Sequence, residues 1–118
     1  MDWSRLEQFR AFDDDALNMT RAIIALFVQD APVRSTELAA AMTARDSTAL
    51  SQAAHALKGA ALNIGASALS DASAALEVSC QDARWPFDAD AQLANLVGLS
   101  DKTLEQLQIW QTSQPTPP

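Results

Sequence analysis

One histidine, His55, and one of only two lysines, Lys58, stand three residues apart in the run Ser51-Gln52-Ala53-Ala54-His55-Ala56-Leu57-Lys58-Gly59-Ala60-Ala61-Leu62-Asn63-Ile64-Gly65. An imidazole of ordinary pKa, about 6.5, offers a nitrogen lone pair near neutral pH and can act as nucleophile, base or metal ligand. With one cysteine in the whole chain, the usual four-ligand zinc set is out of reach, which argues against a structural metal. Helical geometry separates the remaining roles. Placing Leu57 at zero and advancing about 100° per residue brings Leu50 and Ile64 within about 20° of it and Ala53 and Ala61 within about 40°. Those residues form the core stripe. His55 falls at about 160°, Gly59 at about −160°, Gln52 at about −140°, Leu62 at about 140°, Ser51 at about 120° and Lys58 at about 100°. The histidine therefore faces away from the core. An ammonium on the neighbouring turn can hold an anion attached to the imidazole and works against the imidazolium, both of which suit a nucleophile for an anionic group.

Gly59 shares the exposed face one turn after His55. A glycine inside a helix costs about 1 kcal/mol relative to alanine, and no turn requires one there. Two readings stand: the missing side chain admits another protein's backbone, or a neighbouring helix packs closely against it. Leu62, with alanines around it, is either part of a small apolar docking patch or a stray surface leucine.

The elements that must hold this face follow from the rest of the chain. At 118 residues the length fits one domain, and 48% hydrophobic against 19% charged residues describes a folded chain rather than a disordered one. A net charge of −7 and a pI near 4.4 argue against nucleic-acid or anionic-membrane partners, leaving proteins and small molecules. Cys80, alone, forms no internal disulfide and belongs to a helix core. No apolar run approaches the roughly 20 residues that span a bilayer. The start Met1-Asp2-Trp3 lacks the basic region of a signal peptide, so a cytosolic domain is expected. The chain contains no phosphate-binding glycine loop with which to use ATP itself.

Three glycines, abundant alanine and no hairpin dipeptide predict an all-α fold. A short helix is expected over about residues 2–11, with Asp2 as cap and Leu6 and Phe9 at helical spacing. Asp13-Asp14-Asp15 reads as a capping turn ahead of Leu17, Thr20, Ile24 and Phe27. Pro32 is expected to end or kink that helix near Asp30-Ala31, after which Val33, Glu37, Ala40 and Ala44 continue a nearly collinear one. Asp46 or Ser47 caps the histidine helix, Gly65 stops it in a left-handed conformation, and Ser67 is the candidate cap of the next. So short a connection forces the two helices to lie antiparallel and adjacent, with Leu69, Ala72, Leu76 and Cys80 as the second one's inward stripe. The longest internal turn is Asp82-Ala83-Arg84-Trp85-Pro86-Phe87. Asp88 or Asp90 then opens a last helix carrying Leu93, Leu96, Ser100, Leu107 and Trp110, weakened locally by Gly98. The ending Thr112-Ser113-Gln114-Pro115-Thr116-Pro117-Pro118 reads as extended, which sets a helical domain at residues 1–112 and a flexible Pro-rich tail at 113–118.

The run His55-Ala56-Leu57-Lys58-Gly59-Ala60-Ala61-Leu62-Asn63-Ile64-Gly65, followed by Leu69 and by Leu76-Glu77, resembles the signature of the histidine-containing phosphotransfer (HPt) domain of bacterial two-component phosphorelays. The likeness extends more loosely to Phe27-Val28-Gln29-Asp30-Ala31-Pro32 and to Asp46, covering about residues 13–80. Ala56 departs from the pattern at a spot where the family often carries a hydroxyl. The resemblance implies an antiparallel four-helix bundle with additional short N-terminal helices. It also implies that His55 accepts a phosphoryl group from a receiver-domain aspartate and passes it to another. Lys58 would stabilise the phosphoryl oxygens, Gly59 would admit the receiver's active-site loops, and Gly65 would turn the chain. Gln52, Gly59, Leu62 and Asn63 would line the docking surface. Magnesium would come from the receiver, so the chain would be a phosphocarrier rather than an enzyme. It would stand alone or form part of a membrane-bound hybrid sensor histidine kinase, at its cytosolic end. Its partners would be response-regulator receivers and that kinase, and an acidic bundle suggests a monomer. Two other readings fit the same residues: the phosphoacceptor substrate domain of a chemotaxis-type histidine kinase, and a module that docks receivers without phosphotransfer.

Overall fold

A computed structural model describes residues 18–81 and 84–113. The helix expected at about residues 2–11, the acidic cluster Asp13-Asp14-Asp15 and the last five residues lie outside the described part. Four helices follow one another: α1 (Asn18–Ala44), α2 (Ser47–Ile64), α3 (Ser67–Ser79) and α4 (Ala89–Ser113). Each packs against the next, and α4 returns to α1, so the four close into an antiparallel bundle around one core. No strand occurs among the described residues, and no helix among them is long and apolar enough to cross a membrane.

The residues at helical spacing supply that core. Ile24, Phe27, Ala31, Leu38 and Ala41 of α1 are buried, as are Leu50, Ala53, Leu57, Ala61 and Ile64 of α2, the stripe its periodicity predicts. Leu69 and Leu76 face inward from α3, and Cys80 is buried just beyond it. Ala72 packs against the core partly buried, and the buried Ser73 joins this stripe; its hydroxyl donates to the Leu69 carbonyl at 2.7 Å, which satisfies a polar group in an apolar setting. From α4 come Leu96, Ser100 and Leu107, with Leu93 and Trp110 partly buried against them.

Pro32 does not divide the first long helix: α1 runs through it unbroken, so the two helices expected there are one. Proline removes one backbone donor, but its own position is exposed, and apolar residues on both sides of it bind the same core. An ion-pair clamp also spans the position. Arg34 donates to both carboxylate oxygens of Asp30, at 3.0 and 3.3 Å, and to Glu37 at 2.8 Å. These hydrogen bonds raise the guanidinium's affinity for its proton, Asp30 foremost and against the effect of desolvation.

Two tight connections set the order of the bundle. At the first, Arg45 adopts a left-handed conformation with φ 53° while its N–H donates to Met42 and that of Asp46 to Ala41. Asp46 then caps α2 by accepting from the Ala49 N–H at 3.1 Å. The strained Arg45 also places its guanidinium 4.9 Å above the Trp85 ring, tying the turn to the segment before α4. At the second connection Gly65 takes φ 78°, and the Ala66 N–H reaches back to Ala61. Ser67 is not the cap expected of it. Ala66 occupies that place without a side-chain bond, because a connection this short makes Ser67 the first residue of α3.

Asp88 directly precedes α4; its carbonyl and its carboxylate both accept from Gln92. The helix continues through Gly98 to Ser113, two residues into the ending expected to be extended. Nothing before Pro115 compels it to stop.

Candidate functional site

The α2–α3 hairpin decides what stands beside His55. Both helices rise 1.5 Å per residue, so residues equally far from the turn at Gly65 and Ala66 lie at the same height. His55 is ten residues before Gly65, and Leu76 is ten after Ala66. Leu76 is buried, and the next residue, Glu77, emerges beside the histidine. Its carboxylate oxygen Oε2 lies 2.7 Å from His55 Nδ1, and its Oε1 accepts from the Lys58 ammonium at 3.2 Å. One carboxylate thus bridges both residues across the helix pair.

An ionised carboxylate can only accept, so the proton of this hydrogen bond sits on Nδ1. In the neutral ring that leaves the lone pair on Nε2. The imidazole side chain is 70% exposed, so Nε2 is open to an incoming group. Partial burial raises the proton affinity of Glu77, but hydrogen bonds and charge from Lys58 and then His55 outweigh it and hold the carboxyl below its ordinary pKa. The acid is therefore ionised at neutral pH. Lys58 is not an ordinary solvated lysine: three quarters of its side chain is covered, and its ammonium is held one turn from the ring.

The other residues of the face keep to their expected side. Gln52, Leu62 and Asn63 are exposed along α2, outside the His55, Glu77 and Lys58 cluster. A Cβ built on Gly59 would meet nothing within 4 Å, so no neighbouring helix among the described residues requires the gap. Close packing by the described helices does not account for this glycine. Gly65 is the left-handed stop expected of it. Cys80 is buried, with its thiol pKa pushed up by desolvation, and takes no part in the site. No group of three or more histidine, cysteine, aspartate or glutamate residues that could hold a metal ion occurs among the described residues.

Glu77 is the residue whose role sequence reading misses, although Leu76-Glu77 belongs to the recognised pattern. The signal was available: an acid at matching height on the antiparallel neighbour, next to a core leucine.

Comparison with protein families finds that the model described as Hpt domain matches residues 22–110. Comparison with curated proteins gives no match, and neither does comparison with solved structures.

Two outcomes follow from this geometry. Because the folded carboxyl of Glu77 titrates below its ordinary range, its contribution to stability is complete above that range and is lost as pH falls through the lower folded value. Denaturant unfolding of wild type and Glu77→Gln across the acid range should show a stability gap that closes as the pH drops. Gly59→Ala, having space and better helix propensity, should raise the unfolding free energy by about 1 kcal/mol, read from the shift of the urea midpoint.

Proposed function

The chain belongs to the Hpt domain family, and on that premise we propose that it carries phosphoryl groups on His55 between the aspartates of receiver domains. Membership makes it a phosphotransfer domain of two-component signalling, a phosphocarrier whose partners are response-regulator receivers. The observation that carries the finer reading is the hydrogen bond from His55 Nδ1 to Glu77, which leaves Nε2 as the exposed nucleophile.

In the transfer, the Nε2 lone pair attacks the phosphorus of an aspartyl phosphate in line with the bond that breaks. The N–P bond forms, the P–O bond to the aspartate breaks, and the aspartate leaves as a carboxylate. The Nδ1 proton stays on the ring, whose positive charge faces the Glu77 carboxylate. Passing the group on reverses these steps. Lys58, one turn away, supplies positive charge for the phosphoryl oxygens, exchanging one anionic partner for another. Gly59 presents bare backbone beside the reacting nitrogen, so a partner loop can come closer than any side chain would permit. Gln52, Leu62 and Asn63 surround it as docking residues. Magnesium and the remaining catalytic groups belong to the receiver, and such partners place the reaction in the cytoplasm, whether the chain stands alone or ends a hybrid sensor kinase.

The test is to mix the purified chain with a panel of receiver domains charged with acetyl phosphate and to look for acid-labile, alkali-stable phosphate. Wild type should be labelled within seconds, and His55→Gln should take no label while keeping its far-UV helicity. Lys58→Ala should slow transfer by up to roughly 100-fold, and Gly59→Leu should block it in a folded protein. Label on the His55→Gln variant would overturn the assignment, and labelling only by an ATP-charged kinase domain would move the chain to the substrate-domain reading.

A further inference from the structure

We propose that two copies of this chain associate weakly through the outward faces of α4, antiparallel and crossing at Gly98, so that Phe87 of each copy stands opposite Ile109 of the other. The inference does not rest on the phosphotransfer reading. α4 lies diagonally across the bundle from α2, so both His55 faces stay outside the contact.

The bundle makes no use of this face. With Leu96 of the α4 core set at zero, Gly98 falls at about 200°, and Ile109, Glu105 and Ala91 fall within about 20° of it. That direction points away from the buried Leu96, Ser100 and Leu107. Gly98 is exposed, and a Cβ built on it would meet nothing within 4 Å. A glycine inside a helix costs about 1 kcal/mol relative to alanine, and no described helix requires this one. It permits the close approach of another backbone from outside. Exposed apolar side chains stand at both ends of the same helix. Phe87, two residues ahead of α4, is wholly exposed, and Ile109 leaves 61% of its surface in water.

Spacing and charge identify the occupant as a second copy. Phe87 and Ile109 are each eleven residues from Gly98, so a two-fold axis at Gly98 sets one opposite the other, twice. In that register Lys102 stands at the height of Ala94 of the other copy, Glu105 at that of Ala91 and Asp101 at that of Asn95. A parallel pair would instead set each of these charges against its own copy, which repels it. From the rise and diameter of a helix, the strip between Phe87 and Ile109 is about 33 Å long and about 10 Å wide. Two copies then bury roughly 700 Å² together, below the roughly 1,200–2,000 Å² of stable complexes. The dimer is therefore reversible. A net charge of −7 on each copy opposes it, so added salt tightens it.

Sedimentation equilibrium of the purified chain over about 10 µM to 1 mM should show the mass rising from 12.6 kDa toward twice that, and rising further with added sodium chloride. Gly98→Gln and Phe87→Ser should each weaken association about tenfold. Val33→Ala, on the exposed side of α1, should leave it unchanged. Circular dichroism should show all three folded, since each changes an exposed position. Oxidative cross-linking reads the register, and the buried Cys80 supplies no competing thiol. Gly98→Cys, on the axis, should give a disulfide-linked dimer. Glu105→Cys should not, because its two copies lie about 21 Å apart along the helices. A chain monomeric throughout the range, association that neither variant moves, or cross-linking of Glu105→Cys as ready as that of Gly98→Cys would overturn the dimer. None of these outcomes touches transfer to His55, and a wild-type chain that takes no label would defeat the phosphotransfer reading with this contact intact.

Discussion

The site hangs on a single carboxylate. Glu77 reaches across from α3 and holds His55 by Nδ1 and Lys58 by its ammonium, so the orientation of the ring, the identity of its free nitrogen and the position of the nearby cation depend on one side chain. The interaction is partly covered and partly wet, which gives it strength without removing the imidazole from solvent. An unsupported histidine on an exposed helix would sample its rotamers and both tautomers. Here one hydrogen bond selects the tautomer, as a second carboxylate-bearing group does in other histidine sites.

That contact exists only because the hairpin is short. The left-handed Gly65 and the back-bonded Ala66 join α2 and α3 without slack, which fixes the relative height of residues 55 and 77. The cores of both helices, Leu57 and Ile64 on one side and Leu69 and Leu76 on the other, then hold their faces at a constant angle. On the far flank α1 packs against α2 and α4 and closes the bundle. The bundle thereby presents His55 and the side-chain-free Gly59 together on one exposed face of α2. On the reading proposed above, His55 is the nucleophile, Glu77 the orienting acid and Lys58 the cation, and the other protein brings the activated phosphoryl group.

Much of this was legible because it rests on local rules. The outward direction of His55 follows from helical periodicity, and the cap at Asp46 and the stop at Gly65 follow from backbone chemistry that a few residues decide. The parts that were not legible depend on tertiary packing. Pro32 carries a real penalty against a continuous helix, but a core that binds both sides of it, with Arg34 bridging to Asp30, outweighs that penalty. Ser67 has the right side chain for a cap, but the length of the turn gives the place to Ala66. Glu77 was visible as part of a motif, yet its function becomes apparent only when the two helices are set side by side at their true register. Gly59 shows the reverse: sequence poses the question of why a glycine is there, and the open space around it removes the internal answer.

The most direct test of this account is nitrogen-15 NMR of the His55 imidazole in the free and the phosphorylated chain. At a pH where the ring is neutral, the account predicts the tautomer with the proton on Nδ1. In Glu77→Gln that preference should weaken, and after transfer from a charged receiver the phosphorus should couple to Nε2. A free ring protonated on Nε2, or a phosphoryl group bonded to Nδ1, would contradict it.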